Sequence, residues 1–275
     1  MTNLITIQEA VDNFKELIHS AICEGGVKAK EAMIRSSRPI NNIHEAVKAE
    51  LIRNGICPTR IHPALNNTRS ELKLAGFIKQ KNQDVCVSPE NYEPKKVIMT
   101  EGLLRGQTDD YGKDYTERTI SINIRSQISS LAKNFDTLYE RTIAEAINLH
   151  VRCPKMVLGE VYMIPVKEYN VSLMDEFRVE FIDRVSSVEK YIKSFQAING
   201  RSKFDREDYK YERVCLLIVD FQQSPSKIYS NNQELYDDGL LEKNSDVSIE
   251  ELSWESFIKS LLVCYEKRFG DSILI

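Results

Sequence analysis

Met156-Val157-Leu158-Gly159-Glu160-Val161-Tyr162-Met163-Ile164 carries a single charge in nine residues. An apolar run of this length after the turn at Cys153-Pro154 predicts a strand buried on both faces. Glu160 sits in its middle. A carboxylate in a hydrophobic strand is costly unless it is paired, hydrogen-bonded or bound to a cation. Two readings follow: a strand-edge glutamate whose side chain reaches water, or a ligand for a divalent metal ion.

Upstream, residues 126–150 have helical spacing, with Ile128, Leu131, Phe135, Leu138, Thr142, Ala146 and Leu149 on one stripe. Glu145 lies seven residues beyond Leu138 and so close to that stripe, whereas Glu140 turns toward the other side. Glu145 is therefore the better candidate for a carboxylate facing the sheet; its plainer role is a helix-edge glutamate paired with Arg141 or Arg152. Downstream, Phe177–Ile182 reads as a second strand. A helix opens at Ser186 and buries Val188, Tyr191, Ile192, Phe195 and Ile198, and Val214–Val219 reads as a buried strand ended by Asp220. Ser186-x-x-Glu189 has the form of a capping box, which accounts for Glu189 structurally. Helix, strand, strand, helix, strand describes an α/β core with its sheet covered on both faces, and a last helix over 253–268 packs back on it.

The first hundred residues read as a mainly α-helical N-terminal domain, 1–99, followed by a core domain, 100–275. Residues 6–22 form an amphipathic helix capped by Thr6 with Glu9 and ended by Glu24-Gly25-Gly26. A helix over 43–53, a second from Pro63 to Gly76, and a small hairpin of 77–79 and 85–87 suggest a winged helix-turn-helix. Asn66, Asn67, Arg69 and Lys73 would then face a DNA groove, with Lys79 and Lys81 near phosphate; the plainer reading is a helical domain packed on the core. Residues 88–120 read as a linker or arm, in which Arg105, Lys113 and Arg118, with Arg125 beyond it, are either backbone contacts or solvated surface.

At 275 residues, with 42% hydrophobic and 28% charged residues, the composition is that of a soluble globular protein. Six cysteines stand singly, which supports neither a zinc site nor a disulfide framework and suits a reduced, cytoplasmic chain. No run is long enough to cross a membrane. The net charge of −4 divides unevenly: residues 1–100 carry 14 Lys/Arg against 11 Asp/Glu, the remainder 23 against 30. An acidic catalytic region beside a basic DNA-facing region has this distribution.

The segments Thr137–Leu149, Val157–Ile164, Glu189–Arg201 and Arg213–Tyr229 together resemble the layout of the PD-(D/E)xK nucleases, and within them the type II restriction endonucleases that recognise a CCGG core. The resemblance implies an Mg²⁺-dependent, sequence-specific cleavage of double-stranded DNA at a CCGG-containing palindrome by a homodimer, with a cognate DNA methyltransferase as genetic companion. It implies Glu160 as a metal ligand, joined by Glu140 or Glu145 from the first helix and by Glu189, since in this group one acidic ligand has moved to the following helix. Tyr162 occupies the position of the usual lysine, and Lys167 is the nearest replacement. Asp183 and Arg184 would read bases. The alternatives of another class are a non-catalytic winged-helix DNA-binding regulator and a nuclease-fold protein whose site is degenerate.

Overall fold

The computed structural model describes residues 4–69 and 71–270. Within them the helices are α1 (Ile7–Arg35), α2 (Arg38–Arg53), α3 (Lys113–Glu117), α4 (Leu131–His150), α5 (Val171–Met174), α6 (Val188–Ala197), α7 (Asn232–Asp237) and α8 (Trp254–Phe269). The strands are β1 (Ile61–His62), β2 (Lys73–Ala75), β3 (Gln80–Asn82), β4 (Val85–Val87), β5 (Val97–Ile98), β6 (Thr108–Asp109) and β7 (Ile120–Ser126). They continue with β8 (Val157–Pro165), β9 (Lys167–Tyr169), β10 (Phe181–Val185), β11 (Arg213–Asp220) and β12 (Lys227–Tyr229).

Six strands make one mixed sheet in the order β1-β4-β7-β8-β11-β12. The central three, β7, β8 and β11, are parallel, joined by crossovers that contain α4 and α6. Strand β8 is buried along its whole length, and its residues divide by parity between two cores. Val157, Val161 and Met163 pack with apolar residues of α1, α2 and α8; Leu158, Tyr162 and Ile164 pack with those of α4 and α6. Coverage on both faces is why the run shows no polar alternation. Gly159 is required by the close approach of α8, because a Cβ there would lie 2.9 Å from Phe257 Cζ.

Strand β7 is absent from the sequence reading, which began a helix at Ser126. Its Ile120, Ile122 and Ile124 alternate with Ser121, Asn123 and Arg125, a legible period of two. The isoleucines join the α1/α2/α8 core, which leaves the polar residues for the α4 face. The strand expected over 177–182 lies over 181–185 and pairs only with β9, outside the main sheet.

The N-terminal segment also departs from expectation. The Thr6–Glu9 capping box is present, and the helical backbone breaks at Gly25 (φ −161°) and Gly26 (φ +61°), where the sequence places the helix end, before a second helical stretch runs on to Arg35 within α1. A Cβ on Gly26 would meet the Met174 carbonyl at 2.7 Å, so glycine both interrupts the helix and permits close packing here. Among the described residues of 63–76 there is no helix: β1 precedes Pro63 and β2 begins at Lys73, while Asn66 takes a left-handed backbone. The winged helix is therefore not formed. The hairpin is β2–β3, and Val85–Val87 instead enters the main sheet beside β7. Strands from both sides of residue 99 thus share one sheet. Residues 88–120 include β5, β6 and α3, with the first residue of β7.

Candidate functional site

A cleft of about 380 Å³ lies between α4 and the α1/α2 pair at the end of β7; its polar lining is Lys81, Asp84, Arg125, Ser126, Arg141, Glu145 and Tyr162, and Glu160 is buried behind Arg125 rather than on its wall. Parity brings these groups together: Asn123 on β7 is the register partner of Glu160 on β8, and Arg125 follows Asn123 on the same face. Helical spacing turns Glu145 toward them, buried, and leaves Glu140 exposed.

Arg125 is the hub. It donates from Nη2 to Glu145 Oε2 at 2.6 Å and from Nη1 to Thr142 Oγ1 at 2.6 Å. The same Nη1 stands 3.4 Å from Glu160 Oε1. Fully buried Tyr211 donates to the Thr142 carbonyl at 2.8 Å and accepts from Asn123 Nδ2 at 3.3 Å, which fixes the surrounding scaffold. Asp84 at the head of β4 accepts from Ile124 N at 2.8 Å. Lys81 of β3 forms a very short ion pair with Glu145 Oε2.

Glu160 has no solvent exposure, and neither of its carboxylate oxygens accepts a hydrogen bond. Among the described residues no other carboxylate is in that state. Burial pushes its pKa up to about 7, against the pull of Arg125 and with help from Asp84 and Glu145. For Glu145, burial acts upward too, but Arg125, Lys81 and Lys79 outweigh it and hold the group below its ordinary value.

The other expected site residues lie elsewhere. Glu189 is exposed on α6 and accepts from Ser245 Oγ at 2.9 Å, outside the cleft lining. Lys167 lies on β9 opposite Val185, also outside it. Tyr162 donates its hydroxyl to Gln127 Oε1 at 2.9 Å. Asp183 is exposed on β10, and the side chain of Arg184 lies outside the described part of the structure. Arg69 and Lys73 are exposed, Arg69 in an irregular segment and Lys73 on β2.

Asp84 had no sequence signal, and Lys81, expected near phosphate on a wing, could not be placed beside Glu145 from sequence because that position depends on a hairpin that folds back on α4. Arg125 had a signal, the polar half of β7. Among the described residues no three His, Cys, Asp or Glu side chains are grouped as a metal-binding set; the Arg125 guanidinium stands where Glu145 and Glu160 meet. A larger cavity of about 580 Å³ is bounded by residues of 91–101 and 111–115. The buried charge on its wall, Arg152, is committed to Asp109 at 2.5 Å and the Ala75 carbonyl at 2.8 Å.

No family model, curated protein or solved structure matches this chain.

Proposed function

We propose that the cleft is the active site of an Mg²⁺-dependent nuclease that cuts double-stranded DNA, in the manner of a type II restriction endonuclease acting as a homodimer on a palindrome such as one with a CCGG core. The observation that carries this reading is Glu160: a fully buried strand carboxylate with no hydrogen bond to either oxygen and a single guanidinium at 3.4 Å, near a second carboxylate and a lysine. Hard carboxylate oxygens are the donor type Mg²⁺ takes, usually with several waters retained. Glu160 and Glu145 are the residues that would hold the ion, with Asp84 the nearest further acid. Bound there, Mg²⁺ supplies Lewis-acid stabilisation of the phosphate and an activated water.

The chain's own residues have separate tasks. Lys81, its ammonium anchored on Glu145, takes the part that the resemblance implied for Lys167, orienting or activating the attacking water. Arg125 orients Glu145 and neutralises the buried pair until substrate and ion arrive. Two copies suit a palindromic site because each protomer cuts one strand.

The decisive experiment incubates the purified protein and its Glu160→Gln variant with phage DNA, in Mg²⁺ or EDTA, and resolves the products on a gel. Discrete fragments from the unaltered protein in Mg²⁺ alone are expected. Intact DNA across several substrates overturns the reading. It would favour the degenerate nuclease, in which Arg125 permanently fills the ion's place.

A further inference from the structure

Glu145 is over-neutralised. Arg125 and Lys81 both bind its Oε2 with short contacts, and two more cations reach its Oε1 at the edge of ion-pair range: Lys79 at 3.9 Å and Arg141 at 4.0 Å. The latter contacts lack hydrogen-bond geometry, and the two side chains are 49% and 67% exposed. Among the described residues neither has another acidic partner within ion-pair distance. Exposed pairs of this kind contribute at most ~1 kcal/mol, so both cations are available to an anion from solvent. The cleft wall itself carries the cations Lys81, Arg125 and Arg141 against the carboxylates Asp84 and Glu145, and Lys79 adds a further positive charge beside Glu145, in a chain of net charge −4.

The backbone segments that carry the two cations are also held in fixed relation. Asn148, on the same helix as Arg141, accepts from Ile78 N and Lys79 N through Oδ1 at 2.8 and 3.0 Å and donates from Nδ2 to the Lys79 carbonyl at 3.2 Å. Its own carbonyl accepts from Phe77 N at 2.7 Å. The turn of the β2–β3 hairpin is thereby pinned to α4, so Lys79 and Arg141 flank the cleft without further ordering of the backbone. A planar guanidinium binds a phosphate through two parallel bonds and an ammonium through one point charge.

We propose that Lys79 and Arg141 form a two-sided grip on a backbone phosphate of the nucleic acid at the mouth of the cleft. The proposal rests on the nuclease reading and names the contact through which that site takes its substrate.

The test uses full-length protein carrying Glu160→Gln, so that binding is read without cleavage, and a fluorescein-labelled duplex titrated by anisotropy across a range of NaCl. Lys79→Ala and Arg141→Ala are each expected to weaken binding, and the double variant to reduce the slope of log affinity against log salt by about one, because both cations serve a single phosphate. Arg141→Lys is expected to keep the slope and lose part of the affinity, which separates charge from folding damage. Unchanged slopes in the folded double variant overturn the grip. So does tight binding of inorganic phosphate, read by thermal shift and abolished by both variants, if the DNA slope stays the same. Failure of the unaltered protein to cut DNA in Mg²⁺ is a different result, and it counts against the nuclease reading itself.

Discussion

Glu160 and Glu212 are both fully buried glutamates beside the same central strand, and the fold treats them in opposite ways. The Glu212 carboxylate accepts from Leu158 N at 2.6 Å and from Arg268 Nη2 at 2.6 Å, with Arg201 at 3.4 Å and His150 Nε2 at 3.5 Å. Burial pushes its pKa up, but the His150 contact, Arg268 and the Leu158 amide prevail and hold it down at about 2. Two residues further along β8, Glu160 has one guanidinium at 3.4 Å and no hydrogen bond. The chain can therefore satisfy a buried carboxylate completely, and does so where the purpose is structural. Leaving Glu160 bare costs stability, and such an expense is characteristic of a working site.

The contrast is broken most directly by exchanging each acid for its amide. Glu160→Gln is expected to lower DNA cleavage by ~10²-fold or more while the melting temperature holds or rises. A large loss of stability with cleavage retained would assign Glu160 to the scaffold. Glu212→Gln should do the reverse: it leaves Arg201 and Arg268 buried without their shared counter-charge, and a loss of about 3 kcal/mol is expected in chemical denaturation. Unchanged stability there would mean that the network is dispensable.

Stability against pH sharpens the comparison, because the two shifts have opposite sign. Glu212 titrates below its ordinary 4.5 when folded, so its contribution is present above that value and is lost as pH falls from 4.5 toward 2. Glu160 titrates above 4.5 when folded. Between 4.5 and about 7 the unfolded chain has released a proton that the folded chain retains, so stability falls as pH rises through this window. The drop is of order 3 kcal/mol, and Glu160→Gln should flatten it in denaturation curves collected from pH 4.5 to 8. The smallest effects are expected at Glu189 and Lys167. Alanine at either should leave cleavage within about twofold, since neither lines the cleft nor is paired with a residue that does; a loss of tenfold or more would return them to the site.

Local pattern was sufficient for several parts of this molecule. The buried character of β8, the isolation of Glu160 within it, the inward turn of Glu145 and the Thr6–Glu9 capping box each depend on residues a few positions apart, where strand parity and helical spacing act directly. The same logic, applied to Ile120, Ile122 and Ile124, would have revealed β7. Other features were decided by tertiary structure alone. Gly25-Gly26 breaks the helix as the sequence indicates, but the close packing of Gly26 against the Met174 carbonyl is not visible there. The Pro63–Gly76 segment has helical spacing in part, yet the pairing of β1 with β4 and of β2 with β3 claims its flanks. Lys81 and Glu145 are 64 residues apart and meet only because Asn148 ties the hairpin to α4. The difference between Glu160 and Glu212 belongs to this second class: each is one glutamate in the sequence, and its ionisation depends on how many cations and amides from distant segments converge on it.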